Sequence, residues 1–155
     1  MNASSNAYTL PVFLLTLMLL LGCGLLGGQE NPGTAKDDVR LDTVLVKGTF
    51  VGKEGITTTG SYRIGRTGSD LKLVLGEDFR TEKGPDLYVV LSPKTRDEAT
   101  GENVMEGAAV RVHALRSLKG QQVYDLADDL DLKPFNATAI QCIQFSHLYG
   151  AAPLE

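Results

Sequence analysis

The chain has 155 residues, 43 % hydrophobic and 22 % charged, which is the composition of one ordinary globular domain with a single core. Its formal net charge is −4, from 15 Lys and Arg against 19 Asp and Glu, so the electrostatic footprint of a nucleic-acid binder is missing. With no Trp and only 6 % aromatic residues, it offers no stacking platform for bases either.

The N-terminus opens with the polar, uncharged "MNASSNAYTL" and continues into "PVFLLTLMLLLG", an almost unbroken apolar run. That run has the length of a signal-peptide core; a membrane-spanning helix needs about 20 apolar residues. Leu20-Leu21-Gly22-Cys23 resembles the lipobox of bacterial lipoprotein signal peptides. The resemblance implies cleavage between Gly22 and Cys23, a diacylglyceryl group on the Cys23 sulfur, and a fatty acyl chain of the palmitate class on the new amine. Chains buried at ~0.8 kcal/mol per methylene anchor stably when there is more than one, so the partner implied is a lipid bilayer. Gly24, rather than Asp, follows the cysteine. By the lipoprotein sorting rule that implies an extracytoplasmic location, on the outer membrane where the cell has one. The expected organisation is a signal peptide over 1–22, the lipidated cysteine and a Gly-rich, polar tether over 23–43, and a folded domain over 44–155.

Beyond the tether the periodicity becomes that of strands. "TVLVKGTFVG" is rich in β-branched residues, "TTTGSYRIGR" puts Tyr62 and Ile64 on one face, and "DLKLVLGEDF" alternates Leu71, Leu73 and Leu75. "PDLYVVLS" is apolar on both faces, as an internal strand requires. The polar stretch from Ser92 to Ala108 reads as an exposed loop. "AAVRVHALRSL", "QQVYDLA" and "ATAIQCIQFSHLYG" complete the set, separated by Gly, Pro, Asn and Asp. The fold class expected is all-β, a single β-sandwich or partly closed barrel of about seven to nine strands.

Few motifs carry chemistry. "GTFVGKE" lacks the spacing of a phosphate loop, and Glu54 stands where a magnesium-binding hydroxyl belongs. The acidic run at Asp125, Asp128, Asp129 and Asp131 lacks the glycine of a calcium loop. Neither His113 nor His147 lies near a nucleophile-elbow pattern, and a structural zinc site needs four ligands, so no metal is expected. His147 follows Cys142 by five residues, a spacing that puts the two on opposite faces of one regular strand. Cys142 has two readings. It is a small buried hydrophobe, or it is a redox thiol, which reacts as the thiolate and needs a nearby cation to lower a pKa of about 8.5. Arg111, His113, Lys119 and His147 are the candidate cations.

The stretches "EDFRTEKGPDLYVVLS", "LKGQQVYDL" and the segment around Cys142 together resemble the DM13 domain family, over about Gly48 to Leu154. The resemblance implies an all-β domain linked to electron transfer. Its implied functional residue is the last-strand cysteine, here Cys142, acting as a bare thiol or as ligand to a prosthetic group such as haem. Gly150 and Ala152 match the small residues that follow. In "EKGPDLYVVLS", Gly84 and Pro85 suit a turn into the strand, and Arg80 is placed to pair with Asp86 across it. The expected function is a membrane-anchored redox accessory acting through Cys142 with an unidentified redox or envelope protein partner, rather than a stand-alone enzyme. The alternative is a non-catalytic cell-envelope binding module in which Cys142 is core packing.

Overall fold

The computed structural model describes residues 39–155. Cys23 and the apolar segment before it, on which the lipid-anchor expectation rests, lie outside the described residues. Eleven strands follow one another: β1 (Thr43–Thr49), β2 (Val51–Gly52), β3 (Thr58–Thr59), β4 (Ser61–Thr67), β5 (Asp70–Leu75), β6 (Arg80–Thr81), β7 (Leu87–Ser92), β8 (Val110–Ala114), β9 (Gln122–Asp125), β10 (Ala137–Cys142) and β11 (His147–Pro153). There is no helix among the described residues.

Two antiparallel sheets form a sandwich, one in the order β1-β4-β5-β9 and the other in the order β2-β11-β10-β7-β8; β3 and β6 pair separately. Neither large sheet closes into a barrel. The strand count exceeds the expected range for local reasons. "TVLVKGTFVG" and "TTTGSYRIGR" each break in two, Arg80–Thr81 adds a short strand, and the C-terminal run folds back as a hairpin.

Side-chain alternation places the core. Tyr62 and Ile64 of β4, with Leu71, Leu73 and Leu75 of β5, face Leu87, Val89 and Leu91 of β7 and Ile140 and Cys142 of β10 in one buried cluster. Tyr62 ties the two sheets, its hydroxyl donating to the Pro153 carbonyl of β11 at 2.6 Å. Burial pushes the Tyr62 phenol from its ordinary 10.0 up to about 12. The unfolded phenol therefore ionises first, and stability falls as pH rises from 10 to 12, by roughly 2 kcal/mol. In a phenolate absorbance titration one of the chain's five Tyr is expected to ionise only near the upper end of that window. A Tyr62→Phe variant should lose that late phase, and its persistence would contradict the assignment.

The connection over 93–109 is not the solvated loop its charges suggest. Ala99 and Val104 are buried against Val90, Ala139, Leu148 and Ala151, on the face of the five-stranded sheet opposite the main core. Ser92 Oγ donates to the Val104 carbonyl at 2.7 Å and fixes the connection there. The five-stranded sheet is thus apolar on both faces because it is covered on both, the condition that "LYVVLS" satisfies.

At the corner between β3 and β4, Gly60 has φ +105, and a Cβ there would lie 2.4 Å from the Phe79 Cα. Asp78 closes the same corner by accepting from the Ser61 N–H at 3.0 Å and the Ser61 hydroxyl at 2.8 Å. The backbone bond from Ser61 holds the Asp78 carboxyl below the usual carboxylate range.

Candidate functional site

Cys142 ends β10, an internal strand flanked by β7 and β11. It is 1 % exposed, and its thiol donates to the Pro85 carbonyl at 3.1 Å. It is the free cysteine of the described residues. Its register partners are Leu87 on β7 and His147 on β11. Residues directly opposite in an antiparallel pair project to the same face, so Cys142 and His147 share one. The opposite-face expectation fails because the two residues are not on one strand. Residues 143–146 reverse the chain, with Ser146 at φ +47. The bulge between Ile140 and Gln141 then shifts the register of β11.

Glu54 was not expected at this site. It sits at φ +48 in the turn after β2, and its carboxylate reaches three groups. One oxygen accepts from the Gly101 N–H at 2.6 Å. The other accepts from the Leu148 N–H at 2.8 Å and lies 3.0 Å from His147 Nδ1. Gly101 is held from its other side as well, where buried Gln141 donates Nε2 to its carbonyl at 2.9 Å. Glu54 thus joins the β2 turn, the covering connection and the C-terminal hairpin. No local sequence signal marks it, because its partners lie 47 and 94 residues away.

Tyr149 completes the group. Its ring meets the His147 ring edge-on at 5.8 Å and 88°. Its hydroxyl rests on Gly84, where a Cβ would lie 2.2 Å from Oη. A side chain at 84 would displace the Tyr149 phenol; the left-handed backbone falls on Asp86, at φ +49, whose carbonyl accepts from Ile143 N–H at 3.1 Å. The Cys142 sulfur and the Tyr149 phenol converge on the one dipeptide, Gly84–Pro85. Burial first, and then the neighbouring Cys142 and Glu82, push the Tyr149 phenol above its ordinary value.

The other candidate cations go elsewhere. Arg111 stacks on Tyr88 at 5.0 Å, His113 packs 5.7 Å from the Tyr124 ring, and Lys119 bridges to Arg80. Only His147 of the four is brought opposite Cys142. Arg80 pairs with Thr59, and no Arg80–Asp86 ion pair forms among the described residues.

Among the described residues no three His, Cys, Asp or Glu side chains converge as a metal site. Haem does not fit Cys142 as placed. Axial ligation needs the sulfur bare to a slot as wide as the macrocycle, and this sulfur is enclosed and directed at a backbone carbonyl. A cleft of about 410 Å³ is lined by residues that include Gly84, Leu87 and Arg116, and Cys142 is not in its wall.

Compared with known proteins, residues 49–154 match the family model described as Electron transfer DM13. No curated protein and no solved structure matches the chain.

Proposed function

Because the chain belongs to the Electron transfer DM13 family, we propose that it is a lipid-anchored, extracytoplasmic accessory of electron transfer that works by thiol redox chemistry at Cys142. The observation that carries this reading is the convergence of the one described free thiol, the Tyr149 phenol and the Glu54–His147 pair at one end of the sandwich. Cys23, matching the lipobox cysteine, supplies the anchor.

An enclosed sulfur favours a small oxidant. The Cys142 thiolate attacks one oxygen of a hydroperoxide, an S–O bond forms and the O–O bond breaks. Sulfur gives up two electrons, and the leaving oxygen departs as water or an alcohol carrying the thiol proton. A partner thiol then condenses with the sulfenic acid, releasing water. A second thiol displaces the mixed disulfide, which restores Cys142–SH and leaves the partner as a disulfide. These return steps need the enclosed sulfur to become reachable by local opening, because a thiol carried on a protein partner is bulkier than a small hydroperoxide.

The burial of Cys142 favours a second reading, core packing in a cell-envelope binding module. Treating the folded protein with hydrogen peroxide and a sulfenic-selective carbon nucleophile separates the two. Mass spectrometry is expected to find the adduct on the Cys142 peptide without denaturant. An adduct formed only after unfolding, across several pH values, would overturn the redox reading in favour of packing.

A further inference from the structure

Five large apolar side chains are exposed among the described residues; Val44 at 44 % and Leu45 at 46 % line one cleft, and Val51 at 49 % lines the cleft beside it. The two clefts, of about 440 and 540 Å³, share Lys47, Arg63 and Glu155 in their walls. Both large sheets present an edge strand here, β1 of one and β2 of the other. A bulge between Val44 and Val46 interrupts the pairing with β4 at Leu45. Lys47 and Arg63 are register partners, both exposed, and Arg40 stands exposed just before β1. Arg96 lines the larger cleft but is held by Asp97 at 2.8 Å, and Glu155 supplies an anion to both walls.

We propose that this β1 edge lies against an anionic phospholipid surface, with Val44, Leu45 and Val51 entering the headgroup layer and Arg40, Lys47 and Arg63 meeting lipid phosphates. The inference rests on the reading of Cys23 as a lipid anchor. Two features argue for a bilayer over other occupants. The cations gather around exposed aliphatic residues on a chain whose net charge is −4, which is the chemistry of an interfacial contact. β1 is also the first described strand, and only residues 24–38 separate Cys23 from Val39. A chain of that length reaches at most about 55 Å, so an acylated Cys23 would keep the domain within reach of the bilayer.

The chain has no Trp, so single Trp reporters have no background. The test places Leu45→Trp and, as control, Phe145→Trp, which replaces an exposed residue in the β10–β11 turn, in the full chain purified from membranes. Each is reconstituted into vesicles of phosphatidylcholine with or without phosphatidylglycerol, with brominated acyl chains as quencher. The Leu45→Trp signal is expected to be quenched in anionic vesicles and the control to stay unquenched. Lys47→Gln and Arg63→Gln should each weaken the contact about fivefold. Equal quenching at both positions, equal quenching in zwitterionic vesicles, or a lipid-independent shift that grows with protein concentration overturns the proposal; the last would identify a second copy as occupant. The mass of the Cys23 peptide is read in parallel. A peptide without acyl chains sinks the anchor reading, and an unquenched Leu45→Trp on an acylated chain sinks only the surface contact.

Discussion

Replacing Glu54 with Ala is expected to destabilise the domain by about 3 kcal/mol. The carboxylate accepts from two backbone N–H groups, Gly101 and Leu148, and lies 3.0 Å from His147 Nδ1. Bonds to a charged acceptor contribute about 1.5–3 kcal/mol each, and water reaches this half-exposed side chain well enough to replace part of the loss. The measurement is the urea midpoint at unchanged m-value. The effect should also be local. The Gly101 and Leu148 amides should exchange faster, and Cys142 should react faster with a small alkylating reagent, because the hairpin that encloses it is no longer tied to the β2 turn. Glu54→Gln, which keeps an acceptor oxygen, should recover part of the stability. An unmoved midpoint in Glu54→Ala would show that the three contacts contribute nothing net.

Gly60→Ala is expected to be more damaging, at about 3–5 kcal/mol. Its backbone lies at φ +105, a region closed to side-chain-bearing residues, and a Cβ would meet Phe79 backbone atoms at 2.4 and 2.6 Å. Neither segment can retreat. Phe79 is fully buried, its ring 5.5 Å from the Phe50 ring, and the Phe50 N–H donates to the Gly60 carbonyl at 2.8 Å. Thermal unfolding is the readout, with Gly68→Ala as comparison. Gly68, at φ +60 with open space around it, carries only the milder strain of the left-handed region and no collision. If the two variants melt together, the steric account of Gly60 is wrong.

The strands with a clean two-residue period were legible in the sequence. Leu71, Leu73 and Leu75 alternate because one face of β5 meets the core, and Tyr62 and Ile64 do the same on β4. The C-terminal hairpin was not, because "IQFS" contains no Gly, Pro, Asn or Asp and its left-handed residue is a serine, Ser146. A turn without turn chemistry reads as continuous strand, and that reading placed Cys142 and His147 on opposite faces. The covering connection was hidden for a different reason. Ala99 and Val104 are two apolar residues scattered among charges, and only the sheet beneath them gives them a partner. Of the site, Cys142 and His147 were found through residue type, and family likeness added weight to the redox reading of Cys142. Glu54 and Tyr149 act through partners distant in sequence, which no local pattern carries.

The position of β11 bears on how the molecule is made. It is the last strand in sequence yet lies inside its sheet, bonded to β10 on one side and to β2, about a hundred residues upstream, on the other. Pairings of such long sequence separation assemble in milliseconds to seconds rather than microseconds. Until residues 147–153 have been synthesised, β2 has no neighbour in that sheet, Glu54 has no Leu148 amide to hold, and the Cys142 sulfur has no His147 opposite. A released chain whose final strand has not yet docked carries its thiol uncovered, so the interval before β11 docks is when this cysteine is most open to chance oxidation.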